Sequence, residues 1–469
     1  MERQNLAIRQ SDPIEAWLHE RKEKILGDLA DLVSCKSVSV HEQGENPFGS
    51  ECSAALKKAL EISALHRMQT TNLENFCGFA QAFGQPGAEE IGLFTHLDVV
   101  PAARGWLNDP FTLTIKDGWA LGRGVCDNKG GALASIYALD YLRTHSTLQK
   151  NWLIFFGLNE EKAMKDIQYF LKKRSAPALS LIPDTEFPVC YAEKSHVCIE
   201  IHLDLSQTNL LHFSAGNAVN IVPRHAEAAL LPKEKRLCDA QPGDEKSALK
   251  VRAEGRSTHA SLPEKGKNAI VVLCRKLLAQ DLLNEEGRRQ MELAASLAGD
   301  IHGKKTGIAH DGGEFGHTTQ VCSIARLNHG RLELKFDIRF PCLVAGDDII
   351  KSLKKTYADL GLPLRVIEVD EALPKNSKHP LIKELTRIAN EEMGAQLEPY
   401  TMGGLTYARK LPNAYGFGLE RVGSLPDFLD DGHGGVHQPD ECIHIDEYLH
   451  GIKILIRALQ WIDDFPSPA

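Results

Sequence analysis

Several kinds of segment are missing from this sequence. No stretch approaches the roughly 18 to 20 apolar residues of a membrane-crossing helix. The opening residues, MERQNLAIRQSDPIEAWLHERKEKI, are polar and charged, without the apolar core of a secretory signal. The 11 cysteines are odd in number and include no C-x-x-C pair, which argues against a disulfide framework and against a cysteine zinc cluster. The net charge of −9 is spread along the chain with no long run of Lys and Arg, so nucleic acid is not an expected partner, nor is an anionic membrane. There is no internal repeat and no low-complexity tract. Together these absences lead us to expect a protein of the reducing cytoplasm.

What is present is ordinary globular material. The 469 residues are 43% hydrophobic and 25% charged, too long a chain for one ordinary core. Apolar positions Ile14, Trp17, Leu18, Ile25, Leu26, Leu29 and Leu32 fall at helical spacing and predict one opening helix over 14–34. Short apolar runs then alternate with helical patterns: strands over 91–97, 152–158 and 179–182, and helices over 130–142 and through Ile167 and Leu171. This order implies an α/β domain with a largely parallel, mixed sheet flanked by helices. From about 196 the texture changes. Strand-like pieces at 197–205 and 332–338 surround one long helical stretch near 268–282, as in an α+β domain inserted into the first. The final segment returns to long helices and ends on 448–461. The expected division is 1–195 and 374–469 for the first domain and 196–373 for the insert.

Acids and histidines fall at the strand ends. The first strand closes on His96-Leu97-Asp98, where residues two apart point the same way. Asp127 precedes Asn128-Lys129-Gly130-Gly131, the strand over 152–158 runs into Asn159-Glu160-Glu161, and the strand before Pro183 delivers Asp184. The carboxyl edge of such a sheet is where ligands bind. Each piece alone has an ordinary reading: a surface pair for His96 and Asp98, helix-dipole compensation for Glu160 and Glu161, a helix cap for Asp127. Taken together, with a late His437, they point to a metal. Imidazoles and carboxylates are usual ligands of zinc and manganese, and a carboxylate cluster without a cation is electrostatically costly. One carboxylate bridging two ions would make a clamp that activates water and polarises a carbonyl.

At this point the sequence resembles a known family, the dinuclear metallopeptidases that include aminoacylase, carboxypeptidase G, succinyl-diaminopimelate desuccinylase and carnosinase, and within it the peptidase V type of bacterial dipeptidases. The matching text is Thr95-His96-Leu97-Asp98-Val99-Val100-Pro101, Trp106, Asp109-Pro110-Phe111, Gly122-Arg123-Gly124 through Lys129-Gly130, Asn159-Glu160-Glu161 and Asp184 with Phe187-Pro188. It continues with Asn220-Ile221-Val222-Pro223, Gly255 through Ser261, Gly403-Gly404, Thr406-Tyr407 and His437-Gln438-Pro439-Asp440-Glu441.

The resemblance implies a catalytic domain with an inserted lid, and two divalent ions, Zn2+ or Mn2+, per chain. It implies His96 and Asp184 on one ion, Glu161 and His437 on the other, and Asp127 between them. Asp98 would orient His96, Glu160 would be the general base toward the metal-activated water, and His259 would stabilise the oxyanion. Arg339 would bind the peptide carboxylate, and Asn220, Gly404 and Thr406 would help hold the substrate. The implied activity is hydrolysis of short peptides. The alternatives are N-acyl amino acid deacylation or desuccinylation at the same metals, and a metal-free binding protein on the same scaffold. Dimeric members have a shorter lid and borrow the histidine from a partner subunit; the long insert here implies a monomer. The chain departs from the pattern at Asn128, where Asp is usual, at Leu405, where a third glycine is usual, and in a long 423–436 loop holding a second histidine, His433. Cys126 is expected to be a small buried residue, and His310, His317 and His329 are assigned no role.

Overall fold

The computed structural model describes residues 12–102, 104–419, 425–430 and 432–465; Gly423, Ser424 and Asp431 of the 423–436 loop lie outside them, as does the expected start of the first domain. The chain divides into two compact units. One comprises Met1–Tyr191, Lys375–Tyr400 and Thr406–Ala469, and the other Ala192–Pro374 with Thr401–Leu405.

An eight-stranded mixed sheet runs, in spatial order, through Gln69–Leu73, Cys77–Ala82, Asn151–Gly157, Glu90–His96, Leu179–Ile182, Ala414–Gly416, Cys190–Glu193 and Tyr400–Met402. Its centre is parallel: Glu90–His96 lies between Asn151–Gly157 and Leu179–Ile182, and Ala414–Gly416 runs parallel to the latter. These strands are buried along nearly their whole length, as parallel strands covered by helices are. The fold class expected from the sequence therefore holds. Helix Lys129–His145 is buried at every position from Lys129 to Leu142, and the C-terminal helix Ile445–Asp464 packs on it. Its opening glycines answer to close backbone approach. A Cβ on Gly130 would stand 2.1 Å from the Val125 carbonyl oxygen, and one on Gly131 2.3 Å from that of Pro183. The helix start is thereby pressed against the turn that carries Asp127 and the strand end that carries Asp184.

The single opening helix predicted over 14–34 is instead two, Pro13–Glu20 and Lys22–Val33. The break sits at Arg21, whose guanidinium donates to the Trp17 carbonyl (3.3 Å) while its backbone N–H turns back to Leu18 (3.1 Å). An arginine that caps its own preceding turn interrupts the helical ladder without disturbing the apolar stripe, so periodicity ran straight through it.

The second unit is built on a seven-stranded antiparallel sheet in the order Leu249–Glu254, His225–Leu230, Leu210–Ala215, Thr319–Asn328, Arg331–Phe340, Ser195–Asp204 and Leu364–Asp370. Helices Ala269–Ala279, Glu285–Ala298 and Gly346–Asp359 supply the rest of its core, through residues such as Leu273, Leu277, Met291, Leu297, Ile349 and Leu353. The sequence reading found only the first of these helices. The other two are amphipathic, with charged outer faces, and their buried positions are few. No described helix is long and apolar enough to cross a membrane.

Candidate metal centre and active site

Residues from five segments of the first unit converge where its parallel strands end. His96, the last residue of its strand, is fully buried, and its Nε2 lies 2.9 Å from Asp127 Oδ1, 3.4 Å from Asp184 Oδ2 and 4.0 Å from Glu160 Oε2. On the other side of Asp127, Oδ2 lies 2.9 Å from His437 Nε2, which is also 3.2 Å from Glu161 Oε2. His96, Asp127 and Asp184 thus form one group whose ligand atoms all lie within 4.8 Å of one another, and Asp127, Glu161 and His437 form a second. Asp127 belongs to both and turns one oxygen to each. The second histidine of the late loop, His433, is engaged elsewhere: its Nδ1 is 2.6 Å from Asp440 Oδ2.

The charges in this cluster call for a cation. Burial drives the Glu160 carboxyl well above the ordinary range, assisted by the neighbouring Asp184, Glu161 and Asp127. Burial likewise pushes Glu161 up to about 7, and raises Asp184. Burial works to lower both imidazoles, but the surrounding carboxylates outweigh it, raising His96 and taking His437 up to about 11. Burial would raise Asp127 too, yet the two imidazoles hold it far below the usual carboxylate range. Glu160 Oε1, Glu161 Oε1 and Asp184 Oδ1 are buried and make no hydrogen bond among the described residues. Such orphaned carboxylate oxygens are what hard or borderline divalent ions take as ligands.

The supporting contacts were only partly legible beforehand. Asp98, expected to orient His96, has its Oδ1 3.4 Å from His96 Nδ1, but that nitrogen lies closer to the Asp98 backbone carbonyl, at 2.9 Å. Its carboxylate instead accepts the backbone N–H groups of Glu160 (3.1 Å) and Glu161 (3.2 Å), so it fixes the acidic pair as well as the imidazole. Two buried acids escaped the sequence reading. Glu441 pairs with Arg123 at 2.6 Å, and its other oxygen accepts from the backbone N–H groups of Gly124, Cys126 and Asp127, clamping the turn that presents Asp127. Asp166 accepts from Leu158, Asn159 and the Tyr407 hydroxyl, holding the strand end that leads to Glu160. Glu441 lies four residues past His437 in the quoted motif, the only signal it gave. Asn128, at the departure from the family pattern, donates from its amide to the Pro183 carbonyl (2.7 Å), next to Asp184. Cys126 is buried with its thiol 3.3 Å from the Cys442 carbonyl.

The remaining predicted residues are in the second unit, apart from Thr406, which is buried and caps the Tyr407–Lys410 turn through Ala408. Asn220 accepts the backbone N–H of Ala260 (2.8 Å), beside His259, whose Nδ1 lies 2.7 Å from Ser261 Oγ. Ser261 packs on Gly403, where a Cβ would stand 2.3 Å from its own. The Gly403 carbonyl accepts from Arg339, the neighbour of Gly404 thus tying this strip to the sheet. Arg339 is buried, and its Nε and Nη2 both donate to Asp337, which His196 also approaches at 3.2 Å. The structure therefore gathers two sets: His96, Asp98, Asp127, Glu160, Glu161, Asp184 and His437 in the first unit, and Asn220, His259, Arg339 and Gly404 in the second.

The sequence matches the family described as Peptidase family M20/M25/M40 over residues 92–461. The Bacillus subtilis (strain 168) protein YtjP is 29% identical over 471 residues, covering 95% of this chain and 98% of its own. The Beta-Ala-Xaa dipeptidase of Lactobacillus delbrueckii subsp. lactis is 28% identical over 464 residues, covering 94% and 96%. Among solved structures, human carnosine dipeptidase 1 matches with a TM-score of 0.60 at 15% identity, covering 96% of this chain and 98% of its own, a likeness of fold.

Proposed function

The chain belongs to peptidase family M20/M25/M40, a hydrolase of the metallopeptidase kind, and from that premise we propose that it is a dipeptidase using two divalent ions, zinc or manganese. The observation that carries this reading is the pair of ligand groups sharing Asp127. His96 and Asp184 would hold one ion, Glu161 and His437 the other, with Asp127 common to both. Bound there, the ions supply Lewis acidity toward a carbonyl and make water acidic enough to lose its proton near neutral pH.

The chain's own residues do the rest. Glu160 takes the proton of the attacking water and passes it to the leaving amine. Asp98 keeps Glu160 in place through its backbone N–H and steadies His96. His259 stabilises the oxyanion, with Ser261 fixing its ring through Nδ1. Arg339, braced by Asp337, offers its remaining N–H groups to the free carboxylate of a short peptide, with Asn220, Gly404 and Thr406 flanking the substrate. We take the second unit as the lid, and the protein as a cytoplasmic monomer. The Beta-Ala-Xaa dipeptidase relative supports the peptide class over N-acyl amino acids.

Metal analysis combined with a panel of dipeptides and N-acyl amino acids tests the reading. We expect two ions per chain at this cluster, turnover of dipeptides, and joint loss of ions and turnover in Asp127→Ala. Full activity after thorough chelation sinks the metal reading, and a preference for acyl substrates moves the protein to the deacylases.

A further inference from the structure

A second cluster of metal-ligand side chains stands apart from the one described, wholly within the second unit. Glu264, His302 and His317 bring one ligand atom each to within 4.8 Å of one another. Glu264 Oε1 lies 3.2 Å from His317 Nε2 and 3.9 Å from His302 Nε2, and the two imidazole centroids are 4.8 Å apart at 70°. Ligands of a tetrahedral zinc sit about 3.3 Å apart, given metal–ligand bonds of about 2.0–2.1 Å. Small side-chain rotations would bring this set to that spacing.

Two features go beyond three polar groups meeting at a surface. His302 Nδ1 lies 3.2 Å from the Thr318 carbonyl, which can only accept. The proton is therefore on Nδ1, and in the neutral ring the Nε2 lone pair faces Glu264 and His317. Anchoring the far nitrogen on a backbone carbonyl is the usual support of a metal-bound histidine. The three residues also come from separate segments that are each pinned. Glu264 lies in the turn Pro263–Lys265, closed by Lys265 N–H to Leu262 and Gly266 N–H to Pro263 (both 3.1 Å). His317 lies in a hairpin held by Thr318 N–H to His310 and Gly312 N–H to Gly316 (both 2.9 Å). His302 follows helix Glu285–Ala298.

We propose that Glu264, His302 and His317 form a third metal site, taking a borderline divalent ion, zinc above all, with solvent completing the coordination. The side chains are 43%, 32% and 53% exposed, which leaves room for that water and a direct path from solvent. Leu262 N–H donates to His259 O (3.0 Å), so the turn bearing Glu264 continues directly from His259. An ion here ties that turn to the 310–318 hairpin and restrains the segment carrying His259. Its effect is positional, and the site needs nothing from the cluster of the first unit.

Equilibrium dialysis against Zn2+, followed by metal analysis, reads the site directly. In Asp127→Ala, where the first-unit cluster is disabled, one zinc should remain per chain. Adding His302→Asn and His317→Asn should remove it. The same two substitutions in the otherwise unaltered protein should lower zinc content by one, which keeps the test decisive if Asp127→Ala folds poorly. With Cu2+ as the probe, the electron paramagnetic resonance spectrum of Asp127→Ala should show coupling to two imidazole nitrogens. Zn2+ should also slow amide exchange over 259–266. Unchanged zinc content on replacing both histidines, in either background, overturns the proposal; the contact is then a hydrogen bond between Glu264 and His317.

Discussion

Glu160 and Glu161 leave the same strand end as neighbours, yet face different partners. Glu161 meets His437 at 3.2 Å, whereas the nearest imidazole to Glu160 is His96 at 4.0 Å. The proposed division of roles, Glu161 as ligand and Glu160 as base, follows that difference in reach. Glu160→Gln keeps the shape and removes the proton acceptor, so kcat should fall by about 10²–10⁴-fold, while metal analysis still finds the wild-type ion content. Near-normal kcat in that variant would remove Glu160 from the mechanism. Glu441 makes a different demand. Its carboxylate balances buried Arg123 and gathers three backbone N–H groups of the turn presenting Asp127. Glu441→Gln leaves Arg123 uncompensated in the interior, a loss of about 3–5 kcal/mol, and loosens Asp127. Urea unfolding should show the destabilisation, and a metal titration should show weaker binding even where the variant is folded. Wild-type metal affinity would limit Glu441 to a structural part.

At the scale of elements, the parallel strands and the acids at their ends could be read because each strand is a short, largely apolar run with polar residues at its end. His96 after 91–95 and Glu160-Glu161 after 152–158 are local signals. Arg123 and Glu441 are separated by 318 positions, and Tyr407 and Asp166 by 241, so nothing local announces either pair. The helices Glu285–Ala298 and Gly346–Asp359 were lost for the opposite reason: a narrow apolar stripe among many charges reads as solvated chain. The sheet of the second unit also hides a buried acid, Asp337, paired with Arg339 two positions on and approached by His196 from 141 positions away. Burial would raise the Asp337 carboxyl, but Arg339 and His196 outweigh it and hold it well below the usual carboxylate range. A depressed folded value means stability that is fully present above the unfolded value, about 3.9, and lost as pH falls through the folded one. The stability gap between wild type and Asp337→Asn should therefore be present at pH 5 and narrow as pH falls below about 4. Urea midpoints from pH 5 downward check it, and a gap that does not narrow there rules out Asp337 as its source.

Across the whole chain, the proposed mechanism draws on residues of both units: Glu160 from the first and His259 from the second. Each unit has its own core, so either contribution can be removed without disturbing the packing of the other. Glu160→Gln is isosteric, and His259 is only half-buried, outside the apolar core of its sheet. His259→Ala should lower kcat by about a hundredfold or more, as for a lost oxyanion donor, with KM changed less. The two variants then decide whether one chain suffices. Unfolded together and refolded as an equimolar mixture, monomers that use their own histidine give the mean of the two separate activities and nothing more. If a partner's His259 served the reaction, mixed dimers would each carry one site with both residues intact. Random pairing in a symmetric dimer would then restore about a quarter of wild-type activity, and dilution would remove it. The monomer proposed above corresponds to the first outcome. Restored activity that falls on dilution would instead make the protein an obligate oligomer for catalysis.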